Sequence, residues 1–275
     1  MNIGTSRVVL RVRAAADILD LAAPLCLRGW RLLLPLAGVV LLPAFVFCVW
    51  AHYRLGWSWP QVWLAALILG AFCQAPFTIA CGDLIFVGPR EARVASTLKR
   101  ALRRLPAFLI SYIVVRLCHT MGLSIVVLPL FTLIAFLVVP EAALLEGAGG
   151  FAALARSARA VRGRAASSLG IAIAVGLLPG VGVLAGEVLG TSVVRFVLQL
   201  GEPFGSLFTS GGSPYALAGF FLTVPIISAA RFLAYIDLRT RKEGWDIQLR
   251  FMAIAAGSTP EAQAATAPGH SGKAA

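Results

Sequence analysis

Hydrophobic positions in this chain fall in long unbroken blocks, not in the alternation of strands or the narrow stripes of soluble helices. A helix crossing roughly 30 Å of hydrocarbon needs about 20 residues at about 1.5 Å each. Six blocks meet that length: about 31–51, 61–87, 106–125, 127–146, 166–187 and 214–236. The third and fourth come from one apolar run too long for a single crossing, so it reads as a tight hairpin turning near Pro129. Three shorter stretches, at about 14–28, 91–105 and 150–164, do show helical striping. Val94, Ala95, Leu98, Ala101, Leu102 and Leu105 recur at that spacing in the second, and Phe151, Leu154, Ala155 and Ala158 in the third. The segments "ADILDLA", "ASTLKRA" and "FAALARS" align on Leu19, Leu98 and Leu154. The pattern predicts three units, each an amphipathic interfacial helix followed by two spans. The expected fold is an all-α integral membrane bundle of about six transmembrane helices, one domain over residues 1–255. Residues 256–275, rich in Ala, Gly, Pro, Ser and Thr, read as a disordered tail.

Composition strengthens the membrane reading. Hydrophobic residues make up 59% of the chain, mean hydropathy is +0.86 and only 13% of residues are charged. Soluble domains carry about 25% charged residues, and this chain has too few polar groups to coat a single core. The net charge of +12 would suggest nucleic acid in a soluble protein. Here the basic residues cluster on alternate loops instead. With the N-terminus inside, the inside segments hold nineteen Arg and Lys, among them Arg100, Arg103, Arg104, Arg156 and Arg159. The outside loops hold Arg54 and Arg195 only. That bias predicts both termini on the cytoplasmic side of a cell membrane and a basic cytoplasmic face that meets anionic lipid, with no role for nucleic acid.

Candidate chemistry is sparse. The five cysteines lie in or beside apolar runs without a CxxC pair, three histidines are scattered, and no metal or cofactor site is expected. Polar residues inside spans are the usual functional pointers. Arg116 sits about ten residues, hence about 15 Å, into the third span. Asp83 and Glu141 each lie about five residues from the inner end of their spans, so Arg116 could pair with either, with His119 one turn further on. Such a buried cluster would be a static ion pair or a gated polar path. Gly182, Gly186 and Gly190 form a doubled GxxxG in the fifth span, a pattern that lets helices approach closely. After the sixth span, Asp237, Arg239, Arg241, Lys242, Glu243, Trp245 and Asp246 form a cassette of mixed charge. Its acids are expected to dock on the basic interfacial helices, with Trp245 in the headgroup layer, as an interfacial helix or an extended segment.

Two stretches resemble a family. In "VVPEAALLEGAGGFAALARSARAVRGR", Pro140, Glu146, Gly147, Ala153, Leu154, Arg156, Ser157, Arg162 and Gly163 match the pattern of the bacterial glycerophosphoryl diester phosphodiesterase membrane domain. In "YIDLRTRKEGWDIQL", Tyr235, Asp237, Leu238, Arg239, Arg241, Lys242, Glu243, Gly244 and Asp246 match that family's ending. The resemblance implies a multi-pass protein of the bacterial inner membrane. The phosphodiesterase reaction does not carry over. The chain has no His-Arg dipeptide, its only Asn is Asn2, and it has no soluble segment long enough for the catalytic barrel. The expected function is non-catalytic: lipid binding, or scaffolding of an unidentified protein partner, through the basic face. The alternative is a small transporter or channel built on the Arg116 cluster.

Overall fold

The structure, a computed structural model, describes residues 15–88, 91–122, 137–147, 150–162, 165–201 and 203–243. All regular elements among them are helices. They are α1 (Ala15–Arg28), α2 (Trp30–Leu55), α3 (Trp59–Phe86), α4 (Val94–Gly122), α5 (Val139–Glu146), α6 (Gly150–Val161), α7 (Ala165–Ser192), α8 (Leu207–Ser210) and α9 (Pro214–Glu243). A π-helical turn, Val193–Val197, extends α7. Four stretches are long and apolar enough to cross a membrane: Trp30–Leu55, Trp59–Phe86, Ala166–Val197 and Pro214–Thr240.

Local chemistry sets the helix ends. Gly56 takes a left-handed conformation, φ 69°, and stops α2. Two residues on, Ser58 opens α3 with a capping box: its backbone N–H donates to the Gln61 side chain at 2.8 Å. Pro60 fits the first turn, where an N–H would lack a partner anyway. Pro140 plays the same part in α5, and Gly147, φ 67°, closes that helix.

α9 is the axis of the bundle. It packs most extensively on α7, then on α3 and α1. Its apolar window is 72% buried against 17% for that of α7, so α9 is enclosed by protein while α7 shows most of its surface outward. The outward faces of α2 and α7 carry Leu34, Leu42, Phe47, Leu177, Val181 and Val188, as lipid-facing helices do. Gly182, Gly186 and Gly190 line the contact with α9. A Cβ on Gly182 would lie 2.8 Å from the Gly219 carbonyl, and one on Gly186 would lie 2.6 Å from the Gly219 Cα. At Gly182 and Gly186 backbone meets backbone, which cannot yield to make room, whereas Gly190 lies against the Tyr215 side chain.

Three expectations change. The amphipathic stretch 91–105 and the span 106–125 are not separate elements, because α4 runs unbroken from Val94 to Gly122 with Pro106 inside it. The first and third striped stretches do form their own helices, α1 and α6. The expected fourth span, 127–146, does not end as one long helix. Leu137 and Val138 form a turn, α5 starts afresh at Val139, and residues 123–136 lie outside those described. The described part of the cassette is no separate segment either. α9 continues to Glu243, so Tyr235, Asp237 and Arg239 are its last turns.

Candidate functional site

The two stretches that carry the family resemblance converge where α5, α6 and α9 meet. Glu146 is the last residue of α5, where the helix dipole disfavours an anion. Three donors hold it there. Its Oε1 accepts from the Tyr235 hydroxyl and, at 2.9 Å, from Arg239 Nη1. Its Oε2 accepts from Arg156 Nη1 on α6. Tyr235 and Arg239 are four residues apart on α9 and so share a face. Arg239 also donates to the Tyr235 oxygen at 2.9 Å, which orients the phenol toward the carboxylate. Burial pushes the Glu146 carboxyl up, but the bonds from Tyr235 and Arg156 and the charges of Arg239 and Arg156 outweigh it. The net result is a pKa below the ordinary 4.5.

This cluster stands between two clefts. The larger, about 480 Å³, is lined by Arg156, Arg159 and Arg239 together with the apolar Val138, Ala142, Ala160 and Leu238. The smaller, about 220 Å³, has Asp83, Arg100 and Arg104 in its wall. Glu146, Tyr235 and Arg239 line both. In the smaller cleft Asp83, 3% exposed, is paired with Arg100 and accepts from the Thr97 hydroxyl at 2.8 Å. Arg104 donates to the carbonyl of Leu144, satisfying one of the orphan acceptors at the end of α5. Arginine forks with an apolar wall beside them suit an anion that carries an apolar neighbour.

A second buried pair lies deeper. Arg231 Nε donates to Glu141 Oε1 at 2.9 Å, and Arg231 Nη2 donates to the Leu137 carbonyl at 2.7 Å. Glu141 is 1% exposed. This ties α9 to α5 and the turn before it.

The sequence-derived cluster around Arg116 is not brought together. Arg116 is exposed on α4 with its guanidinium over the Tyr112 ring, 5.0 Å from the centroid. Asp83 is taken by Arg100 and Glu141 by Arg231. The His119 side chain lies outside the described residues. Among the basic-face residues, Arg100, Arg104, Arg156 and Arg159 line the clefts while Arg103 is exposed on α4. Arg239 of the cassette and Tyr235 just before it contact that face by gripping an acid, Glu146. Asp237 is buried, and the side chains of Arg241, Lys242, Glu243, Trp245 and Asp246 fall outside the described residues.

Sequence reasoning missed Arg231 as a site, although a charge inside an apolar block is the same signal that marked Arg116. It also missed Glu187. At the other end of the bundle this residue, 2% exposed, accepts from the Ser213 hydroxyl and, at 2.9 Å, from the Leu207 N–H. It fastens the α7–α9 connection. Among the described residues no three His, Cys, Asp or Glu side chains are grouped as a metal ion would need.

Fold and site together define an all-helical protein, with four helices able to cross a membrane and an arginine-lined double cleft at one end. No family model matches the chain, and neither a curated protein nor a solved structure matches it significantly.

Proposed function

We propose that this chain is a non-catalytic, multi-pass protein of the bacterial inner membrane that binds anionic lipid at its arginine-lined clefts. The observation that carries the reading is the larger cleft, whose lining combines three arginines with apolar side chains. A headgroup needs the first and the glycerol and upper acyl carbons need the second. The larger cleft lies against α5, α6 and the end of α9, and the smaller one beside it reaches the end of α3 and the first turns of α4, a level at which headgroups meet a bundle of this kind. The nineteen-to-two bias of basic residues supports the cytoplasmic side for this end and about six crossings in all. The resemblance to the phosphodiesterase membrane domain supports the bacterial membrane and no hydrolysis.

The test is lipid retention after purification in mild detergent, read by native mass spectrometry. Phosphatidylglycerol should be retained over phosphatidylcholine, and Arg156→Gln with Arg159→Gln should reduce the preference. Equal retention of the two lipids by the parent protein would sink the reading. Topology is checked by single cysteines at positions 54 and 242. Position 54 should label from outside intact cells and position 242 should not.

A further inference from the structure

We propose that the Glu146 carboxylate occupies the place of a ligand phosphate, and that a phosphate ester entering the larger cleft displaces it from Arg156, Arg239 and Tyr235. This deepens the anionic-lipid reading and rests on it. Glu146 lies at a helix C-terminus, where its charge opposes the dipole. What keeps it there is the set of donors, arriving from two helices: Tyr235 and Arg239 on one oxygen, Arg156 on the other. A carboxylate has two oxygens in one plane, whereas a tetrahedral phosphate offers further oxygens to the same forks and to Arg159 in the same wall. Gly147 follows at φ 67°, a left-handed joint at which the end of α5 can swing. Glu146 also lines both clefts, so its departure would join the 480 Å³ space to the 220 Å³ one. The site is thereby closed by its own side chain until a stronger anion arrives.

The ligand class is a phosphate ester with an apolar flank, and its source is either a lipid headgroup or a soluble phosphate. The experiment is carboxyl footprinting of the full chain in nanodiscs with a carbodiimide and an amine, read by mass spectrometry at Glu146. Glu187, at the far end of the bundle, is the internal reference. Phosphatidylcholine discs set the baseline. Phosphatidylglycerol discs should raise Glu146 labelling about threefold or more with Glu187 unchanged. The same rise on adding inorganic phosphate to the baseline discs would assign the site to soluble phosphate, with its chemistry as proposed. In parallel, Glu146→Gln should bind phosphatidylglycerol about tenfold more tightly, since the internal competitor is gone. If that variant fails to fold, the footprint of the parent protein decides alone. Flat or falling Glu146 labelling beside preferential retention of phosphatidylglycerol overturns displacement and leaves the lipid reading standing. So does a folded Glu146→Gln that binds no more tightly. Absence of any preference for phosphatidylglycerol overturns both.

Discussion

Replacing Arg231 by Met tests the tertiary arrangement most directly. The substitution keeps length and apolar volume but removes every donor. Glu141, 1% exposed, then keeps a carboxylate in a buried site with no cation beside it, and the Leu137 carbonyl loses its 2.7 Å donor. Breaking a buried ion pair from one side costs about 3–5 kcal/mol. An unsatisfied carbonyl alone is of order 1–3 kcal/mol, and the two terms overlap because both refer to one guanidinium. The expected loss is therefore about 3–5 kcal/mol. The double variant Arg231→Met with Glu141→Leu removes both charges and fills the space with carbon. Exchanges of this kind are often neutral or stabilising, so its expected loss is under about 2 kcal/mol, below that of the single variant. The assay is equilibrium unfolding in mixed micelles, with sodium dodecyl sulfate titrated in and helicity followed by circular dichroism. A loss under about 1 kcal/mol for Arg231→Met, or a double variant equal to the sum of the two singles, would refute the pairing.

Arg116→Ala, by contrast, should cost less than about 1 kcal/mol in the same assay, since among the described residues it gives up an exposed cation over one aromatic ring. Gly219→Ala should lower the thermal midpoint clearly, because its Cβ would meet the Gly182 carbonyl and, at 2.9 Å, the Gly186 Cα, whereas Gly180→Ala meets nothing within 4 Å and should leave the midpoint unmoved. Acidification should spare the Glu146 clamp until low pH. A carboxyl held below its ordinary 4.5 gives its full stabilisation above that value and loses it as pH falls through the lower folded value, so Glu146→Gln should flatten the stability profile below about pH 4.5 and not above it. Asp83→Ala should cost about 1–3 kcal/mol, because the Thr97 hydroxyl, in a residue 0% exposed, loses its acceptor.

The elements written in local pattern were the legible ones. Apolar blocks marked four helices, and doubled GxxxG spacing marked the face of α7 that lies on α9. The site was legible only in pieces, because its members are far apart in the chain: Glu146 and Arg239 are 93 residues apart and Glu141 and Arg231 are 90. Glu146 read as a boundary, the polar residue at which an apolar block stops. Nothing local says that a boundary acid will be gripped from two helices. The break at Leu137 and Val138 was hidden for a related reason. Both are as apolar as their neighbours, so hydropathy cannot register a turn made inside the protein.

Arg116 and Arg231 give the same signal in the sequence, a single arginine in an apolar span, yet among the described residues only Arg231 of the two acquires a carboxylate. What separates them is the position of the helix in the bundle. α9 is enclosed by α7, α3, α1 and α2, so a charge on most of its faces must meet protein and survives only with a partner. Among the described residues α4 contacts α3, α5, α6 and, less, α2, and Arg116 lies on an exposed part of it along its own tyrosine. The enclosure of α9 follows in turn from small residues. Gly219 facing Gly182 and Gly186 brings α7 to backbone contact, and the remaining neighbours close round that pair. The glycines and the charged groups are thus one design read at two depths. Close packing makes α9 central, and a central helix is where Arg231 and, at its end, Tyr235 and Arg239 find the acids of α5.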